Sequence, residues 1–418
     1  MKPLGTIFFT FAVATTLCVS AVGVDAANLP VEAPLRIAFM NPMSGAQAGI
    51  GAATLAQVKF DAERLNKKGG ADGHPIEIVD FDNKANAQQT AIQLEDAINQ
   101  KFDYVMLNGG EDVASVLLHQ VDLHNKQNPS SPILFLNSTA NRTVFTGARC
   151  SFWEFLFDAN SRMKEKIAAK WVAEQPNITK VFLINSNDQY GYNYAKYVTQ
   201  FLKADDPNVK IVGSVFVPLQ KVKDYTPYIT QISASGANAV MTGLWGPDMT
   251  LLTKSASDLH LRAPIMTFYS VLPGAPQALG QTGVGRTYLV WLWNGDYKDP
   301  AMAEREVSLK SKTGYDYFDL RFTYTLDMLR LAANKAHSVR PEKIALALEG
   351  LHFHGPTGEV WMRAEDHQLQ VPLYVSVFSR NMKYGYGKTD HLNFHALEKF
   401  SAVQAELPST CQMRNRPG

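Results

Sequence analysis

The sequence predicts an α/β protein built as two doubly wound, Rossmann-like lobes around an interlobe cleft. Short β-branched runs alternate with amphipathic segments of helical length, and that alternation runs through twice, with a break near residues 157–161. A late return to β pattern after two long helical segments adds further crossings between the halves. In such open sheets, ligands bind outside the carboxyl ends of the strands. The strand-to-helix loops of both lobes are therefore expected to face the cleft.

The first 26 residues stand apart from this pattern. Lys2 supplies a positive start, residues 7–22 are apolar apart from Thr, Ser and Cys, and Val24-Asp25-Ala26 offers small residues for cleavage. The segment reads as a secretory signal peptide, with the mature chain starting at Ala27. A membrane anchor is the alternative, but the run is short and no basic cluster follows it. Lipidation at Cys18 is disfavoured because Thr15 stands where that signal wants Leu.

Strands are expected at 35–40, 75–81, 104–108 and 133–136, then at 180–185, 210–217, 239–244 and 264–268. The first helix shows Leu55, Val58, Ala62 and Leu65 at helical spacing and ends at Lys67-Lys68-Gly69-Gly70. Segments 88–100, 113–125, 161–174, 191–203, 226–235 and 248–259 read similarly. A strand at 287–293, helices at 317–337 and 341–349, and strands at 359–363 and 373–379 complete the order. The expected division is lobe 1 over 34–157 plus 294–370, lobe 2 over 158–293 plus 371–400, and a tail over 401–418.

Charged residues make up 19% of the chain and the formal net charge is +1, which argues against a nucleic-acid partner. Of three cysteines, Cys150 and Cys411 remain after the leader is removed. In an oxidising compartment they favour a bridge tying the tail to the first half, the alternative being two buried thiols.

Enzyme signatures are weak. Gly49-Ile50-Gly51 invites a dinucleotide reading, but Thr54 stands at the third glycine. No nucleophile elbow or Walker loop is present. His352-Phe353-His354 could share a strand face, and His391 and His395 sit one helical turn apart, yet nothing completes a four-ligand metal set. No catalytic residue, metal or cofactor is expected. Binding is better supported. The turns Pro42-Met43-Ser44-Gly45, Asn108-Gly109-Gly110-Glu111 and Asn137-Ser138-Thr139-Ala140 place small and hydroxyl residues before helices, where an anion is favoured; plain N-capping is the alternative. In the second half, Tyr190, Trp245 and Tyr269 stand at strand ends as an aromatic wall.

These motifs together resemble the periplasmic leucine/isoleucine/valine-binding proteins of ABC importers, which have the type I periplasmic binding fold. The likeness rests on Ser44-Gly45, Asn66-Lys67-Lys68-Gly69-Gly70, Val79-Asp80-Phe81-Asp82, Asp188-Gln189-Tyr190-Gly191 and Lys223-Asp224-Tyr225. It continues through 234–237, 243–248 and Gly355-Pro356-Thr357-Gly358, covering nearly all of the mature chain. The resemblance implies a carboxylate clamp from Gly110, Glu111, Ser138, Thr139 and Ala140, with Ile50, Tyr190 and Trp245 around the ligand. The family's ammonium-binding acid falls at Tyr269, and a pocket-closing aromatic falls at or beside Asp319. A neutral phenol cannot replace that acid. Either Asp319, Glu111 or Asp248 takes over, or the ligand is not an α-amino acid.

The reading is a monomeric periplasmic receptor that closes on a branched-chain amino acid or related small organic solute and presents it to an inner-membrane ABC permease. Aromatic carboxylates or amides are the alternative ligands. The rival roles are a sensory receptor of the same fold and, more remotely, an exported enzyme.

Overall fold

The computed structural model describes Met1 and residues 32–296, 298–386 and 391–417. The expected leader, with Cys18 and the expected cleavage site, lies outside the described residues. Among the described residues, no helix is long and apolar enough to cross a membrane.

The first sheet holds β1 (Leu35–Asn41), β2 (Ile76–Asp82), β3 (Tyr104–Leu107), β4 (Leu134–Asn137) and β5 (Glu154–Leu156). Their order is β2-β1-β3-β4-β5, all parallel. The middle strands β3 and β4 are buried at every position, as continuous apolar runs in a parallel sheet must be when helices cover both faces. The helices α1 (Ala48–Asn66), α2 (Ala87–Asn99) and α3 (Glu111–Gln127) follow β1, β2 and β3. β5 was not expected from the sequence; its three residues are too few to show a period.

The chain then enters α4 (Ser161–Ala173), capped by the Asn160 side chain. The second sheet takes β6 (Lys180–Ser186), β7 (Lys210–Val217), β8 (Ala239–Thr242), β9 (Ile265–Thr267) and β10 (Thr287–Trp291). Between them lie α5 (Gln189–Asp205), α6 (Thr226–Ala234), α7 (Gly246–Asp258) and the short α8 (Ala275–Leu279). Three further helices, α9 (Pro300–Thr313), α10 (Leu320–Ala336) and α11 (Pro341–Leu348), come next. Of these, α9 and α10 pack on α1 and so belong with the first sheet.

A small antiparallel sheet of β11 (His352–Gly355), β12 (Gly358–Met362) and β13 (Leu369–Gln370) follows. The chain returns through β14 (Leu373–Ser379) and β15 (Asn393–Phe400), which extend the second sheet antiparallel to β10, and ends in α12 (Ala402–Ala405) and an extended tail. The full order is β15-β14-β10-β9-β8-β6-β7.

The helical spacing read for His391 and His395 is corrected here. His395 lies in β15 opposite Val377, and His391 sits in a bend before it with φ of 54°. Alternation at Phe394 and His395, one buried and one exposed, is a strand signal over which the histidine spacing took precedence. His352 and His354 do share a strand, β11, where both flank Glu359.

Three passages of chain connect the sheets, and one side chain ties the first to the segment that leads into the third. Gln368 donates from Nε2 to the Asp158 carbonyl at 2.6 Å, while its Oε1 accepts from Asn160 at 2.9 Å. The tail is fixed by the disulfide Cys150–Cys411, whose Cα atoms are 5.8 Å apart. Arg414 reinforces it by donating to the carbonyls of Arg149 and Cys150.

Candidate ligand-binding cleft

The incomplete glycine motif has a packing explanation. A Cβ on Gly51 would lie 2.0 Å from the Pro42 carbonyl oxygen, so only glycine lets α1 start this close to the turn after β1. The second half repeats the device: a Cβ on Gly191 would meet the Ser186 carbonyl at 1.9 Å. Both close approaches set a helix start beside the carboxyl end of its strand, and a cavity of about 300 Å3 opens between these two sets of loops.

From the first sheet, the cavity receives the loops after β3 and β4. Asn41 and Asn108 join through an Nδ2-to-Oδ1 bond of 2.9 Å, and the Thr139 hydroxyl accepts from Gly109 N and donates to Gly109 O, each at 2.9 Å. These bonds hold both loops in one arrangement. Gly110 then stands as N-cap of α3 with no side chain to bond the first N–H groups. Across the cavity, α7 begins at Trp245, again without a side-chain cap. Two helix N-termini without a side-chain cap thus open on one space, although Pro247 leaves α7 one N–H donor fewer than α3. By contrast, α5 starts at the same cleft but has Asp188 accepting from Gly191 N at 2.8 Å, so its end is satisfied internally.

Tyr190, Trp245 and Tyr269 form the wall on the second-sheet side, as the sequence suggested. The indole reaches across to the first side: a Cβ on Gly110 would lie 3.7 Å from it. Since α7 also packs on the 3-10 turn Gly45–Gln47 after β1, the two sides are in contact over the cavity. The Tyr269 hydroxyl accepts from Asn141 at 3.0 Å, and it interacts with that of Tyr190, which is buried without a well-formed hydrogen bond. Burial pushes both phenols up, so both are neutral at physiological pH.

Beneath this wall lies a charged cluster the sequence did not disclose. Arg321 binds Asp319 through Nε, at 2.8 and 3.0 Å to its two oxygens, and through Nη2 at 2.5 Å. Asp158 Oδ2 accepts from Lys164 at 2.7 Å, from Asn141 at 2.9 Å and from Arg321 Nη1 at 3.4 Å. The Lys164 and Asp158 side chains are fully buried. Burial pulls the ammonium of Lys164 down to about 8, against the opposing pull of Asp158. Asp319 also caps α10 by accepting from Arg321 N.

At the other side of the cavity, Glu111 and Arg142 face each other more loosely, with 3.8 Å between Arg142 Nε and Glu111 Oε2. That oxygen has no hydrogen-bond donor, and burial pushes the Glu111 carboxyl up to about 8 despite the opposing pull of Arg142.

Of the residues singled out from sequence, Ile50, Gly110, Glu111, Thr139, Tyr190, Trp245, Tyr269 and Asp319 line the cavity. Ser138 and Ala140 do not. The Ser138 hydroxyl is buried and spent on Thr325 Oγ1 at 2.8 Å, and Ala140 N donates to Asn137 Oδ1. Asp248 is outside as well, because its Oδ2 accepts from Gln220 N at 2.7 Å. Phe318, beside Asp319, contributes an aromatic surface. Arg142 and Arg321 line the cavity but carried no sequence signal, since each gains its role from residues brought by other elements.

A family model described as periplasmic binding protein matches residues 34–381. The chain belongs to the periplasmic binding protein family. Its type I fold is shared by a crystal structure of a leucine-, isoleucine-, valine-, threonine- and alanine-binding protein from Brucella ovis in a closed conformation. That structure has a TM-score of 0.83 and 26% identity, and the match covers 92% of this chain and 100% of the other. A Leu/Ile/Val-binding protein homolog from Brucella abortus is 26% identical over 98% of this periplasmic binding protein and 99% of its own length. A solute-binding protein of an ABC transporter from Rhodopseudomonas palustris, solved with p-hydroxybenzoic acid, shares the fold with a TM-score of 0.74. The identity there is 21%, over 89% of this chain and 98% of that one.

Proposed function

We propose that this protein is the periplasmic solute-binding component of an ABC importer, and that its ligand is a small organic carboxylate held without need of an α-ammonium group. The observation that carries the reading is the state of the acids around the cavity. Asp319 is neutralised by Arg321, and Asp188 is spent on the start of α5. Glu111 is held protonated near neutral pH by burial. What is left is Asp112, exposed in the first turn of α3, and the second oxygen of Asp188, whose Oδ1 caps α5. Against this, the cavity offers an anion two uncapped helix starts and Arg142, and the aromatic wall supplies a flat surface for an apolar body.

The second reading is a branched-chain amino acid, as the names of the Brucella relatives suggest. Under it, the positive charge of the ammonium would favour loss of the Glu111 proton to solvent and pair with the resulting carboxylate.

Calorimetry with leucine, 4-methylpentanoate and 4-hydroxybenzoate separates the two. The proposal expects either deaminated acid to bind at least as tightly as leucine. Tight leucine binding with no binding of both acids would overturn it. A ligand that contacts both sides favours the closed form, so small-angle scattering is expected to give a smaller radius of gyration with ligand than without. An unchanged radius at verified saturation would refute closure.

A further inference from the structure

A second cavity, of about 280 Å3, lies at the far end of the second sheet from the cleft. The same elements reach both. Trp245 at the start of α7 and Tyr269 beyond the end of β9 line the cleft, whereas Ser257 near the end of α7 and Ile265 at the start of β9 line this one.

Its polar lining is of one sign. Arg286, Arg380 and His260 contribute to it and are exposed, and no aspartate or glutamate does. Neither arginine forms an ion pair with a carboxylate among the described residues. Asp258, the acid on this stretch of α7, is held by Lys254 at 2.5 Å. A helix C-terminus would by itself repel an anion, but the carbonyls here are already occupied. Leu259 N donates to Ser255 O, Leu261 N to Ala256 O and His260 N to Ser257 O. Arg286 Nη1 donates to Leu261 O at 3.1 Å. What remains unspent is the donor surplus of two guanidiniums and an imidazole around a space large enough for a small molecule.

We propose that this cavity is a second binding site, separate from the cleft, for a small multivalent anion bearing phosphate or several carboxylates, with Arg286 and Arg380 as its principal contacts. Planar guanidiniums grip both kinds of oxyanion through paired N–H donors. His260 at the same cavity offers a further polar contact, whereas the Ser257 hydroxyl is bonded to that of Thr282, which itself donates to Leu279 O.

The test is calorimetric titration of the ligand-free full chain with inorganic phosphate and, separately, with citrate, at ionic strength held constant with chloride. Saturable binding of phosphate alone assigns a phosphate ligand, and of citrate alone a polycarboxylate. Arg286→Gln and Arg380→Gln together should abolish it. Because Arg286 also holds Leu261, Arg380→Gln serves as the milder variant and is expected to weaken binding about tenfold, the loss typical of one charge-assisted contact. Binding of the cleft ligand should be unchanged in Arg380→Gln. Absence of saturable binding for both anions at millimolar concentration overturns the proposal. So does binding that survives the double variant, or that a saturating cleft ligand displaces.

Discussion

Two charged clusters border the same cavity and are built on opposite terms. In the Asp319–Arg321–Asp158–Lys164 cluster, charges are balanced, desolvated and joined by short bonds. Across the cavity, Glu111 and Arg142 stand 3.8 Å apart, each side chain about one-fifth exposed, with a carboxyl oxygen of Glu111 left without a hydrogen-bond partner. The first cluster is charge-balanced, and its one oxygen without a donor, Asp158 Oδ1, is fully buried and does not line the cavity, so the cluster serves as scaffold. An unsaturated one beside an uncapped helix start is where a ligand can still lower the free energy. Proximity to the pocket therefore does not by itself make a charged residue a ligand contact.

The largest expected effect falls on the scaffold. Asp158→Asn leaves Lys164 buried without its counter-charge, and breaking such a pair costs about 3–5 kcal/mol of stability. Denaturant unfolding measures it, and Lys164→Met in the same chain should restore much of the loss. A single-variant loss well under 1 kcal/mol would erase the distinction between the clusters. Removing the bridge by Cys150→Ser with Cys411→Ser is expected to lower stability by about 2–4 kcal/mol. Ligand affinity should stay as it is, because neither cysteine lines the cavity. A change in affinity would show that the tail bears on the cleft.

Trp245→Ala should have the opposite profile. Losing the buried indole face is expected to cost ligand binding about 1.5–3 kcal/mol, about ten- to a hundredfold, with little change in unfolding. The smallest effect concerns Glu111. Its folded-state value is raised to about 8, above the ordinary 4.5, so the stability tied to its protonated form is fully present below pH 4.5 and is lost as pH rises towards 8. Glu111→Gln should flatten that decline and leave the variant the more stable protein above pH 8. An anionic ligand should likewise bind the wild type more weakly above pH 8 and the variant evenly. Parallel pH profiles for both would mean that Glu111 is ionised throughout.

Much of this was legible in the chain. The parallel strands of both sheets other than β5 declare themselves as short runs bounded by turn residues, and the aromatic side of the cavity is legible because Tyr190, Trp245 and Tyr269 each follow a strand end. The helix α9 was missed although Asp299 and Pro300 mark its start, since its face is too polar to show a strong period. Arg321 was illegible for a deeper reason. Its partner Asp319 is local, but Asp158 arrives from the first passage between the sheets, and no periodicity encodes that meeting. Ser138 shows the mirror image: a hydroxyl in an apparent anion loop is bonded to Thr325, on a helix far along the chain, a partner no local motif reveals.

The bond between Cys150 and Cys411 also has a chronology. Cys411 follows every strand and helix of both sheets in the chain, so in synthesis its thiol is delivered last. An oxidant acting earlier finds Cys150 without its partner. The cross-link therefore forms only on a chain made through residue 411, and a chain cut short between residues 150 and 411 would carry Cys150 without its partner, a thiol that marks it as unfinished.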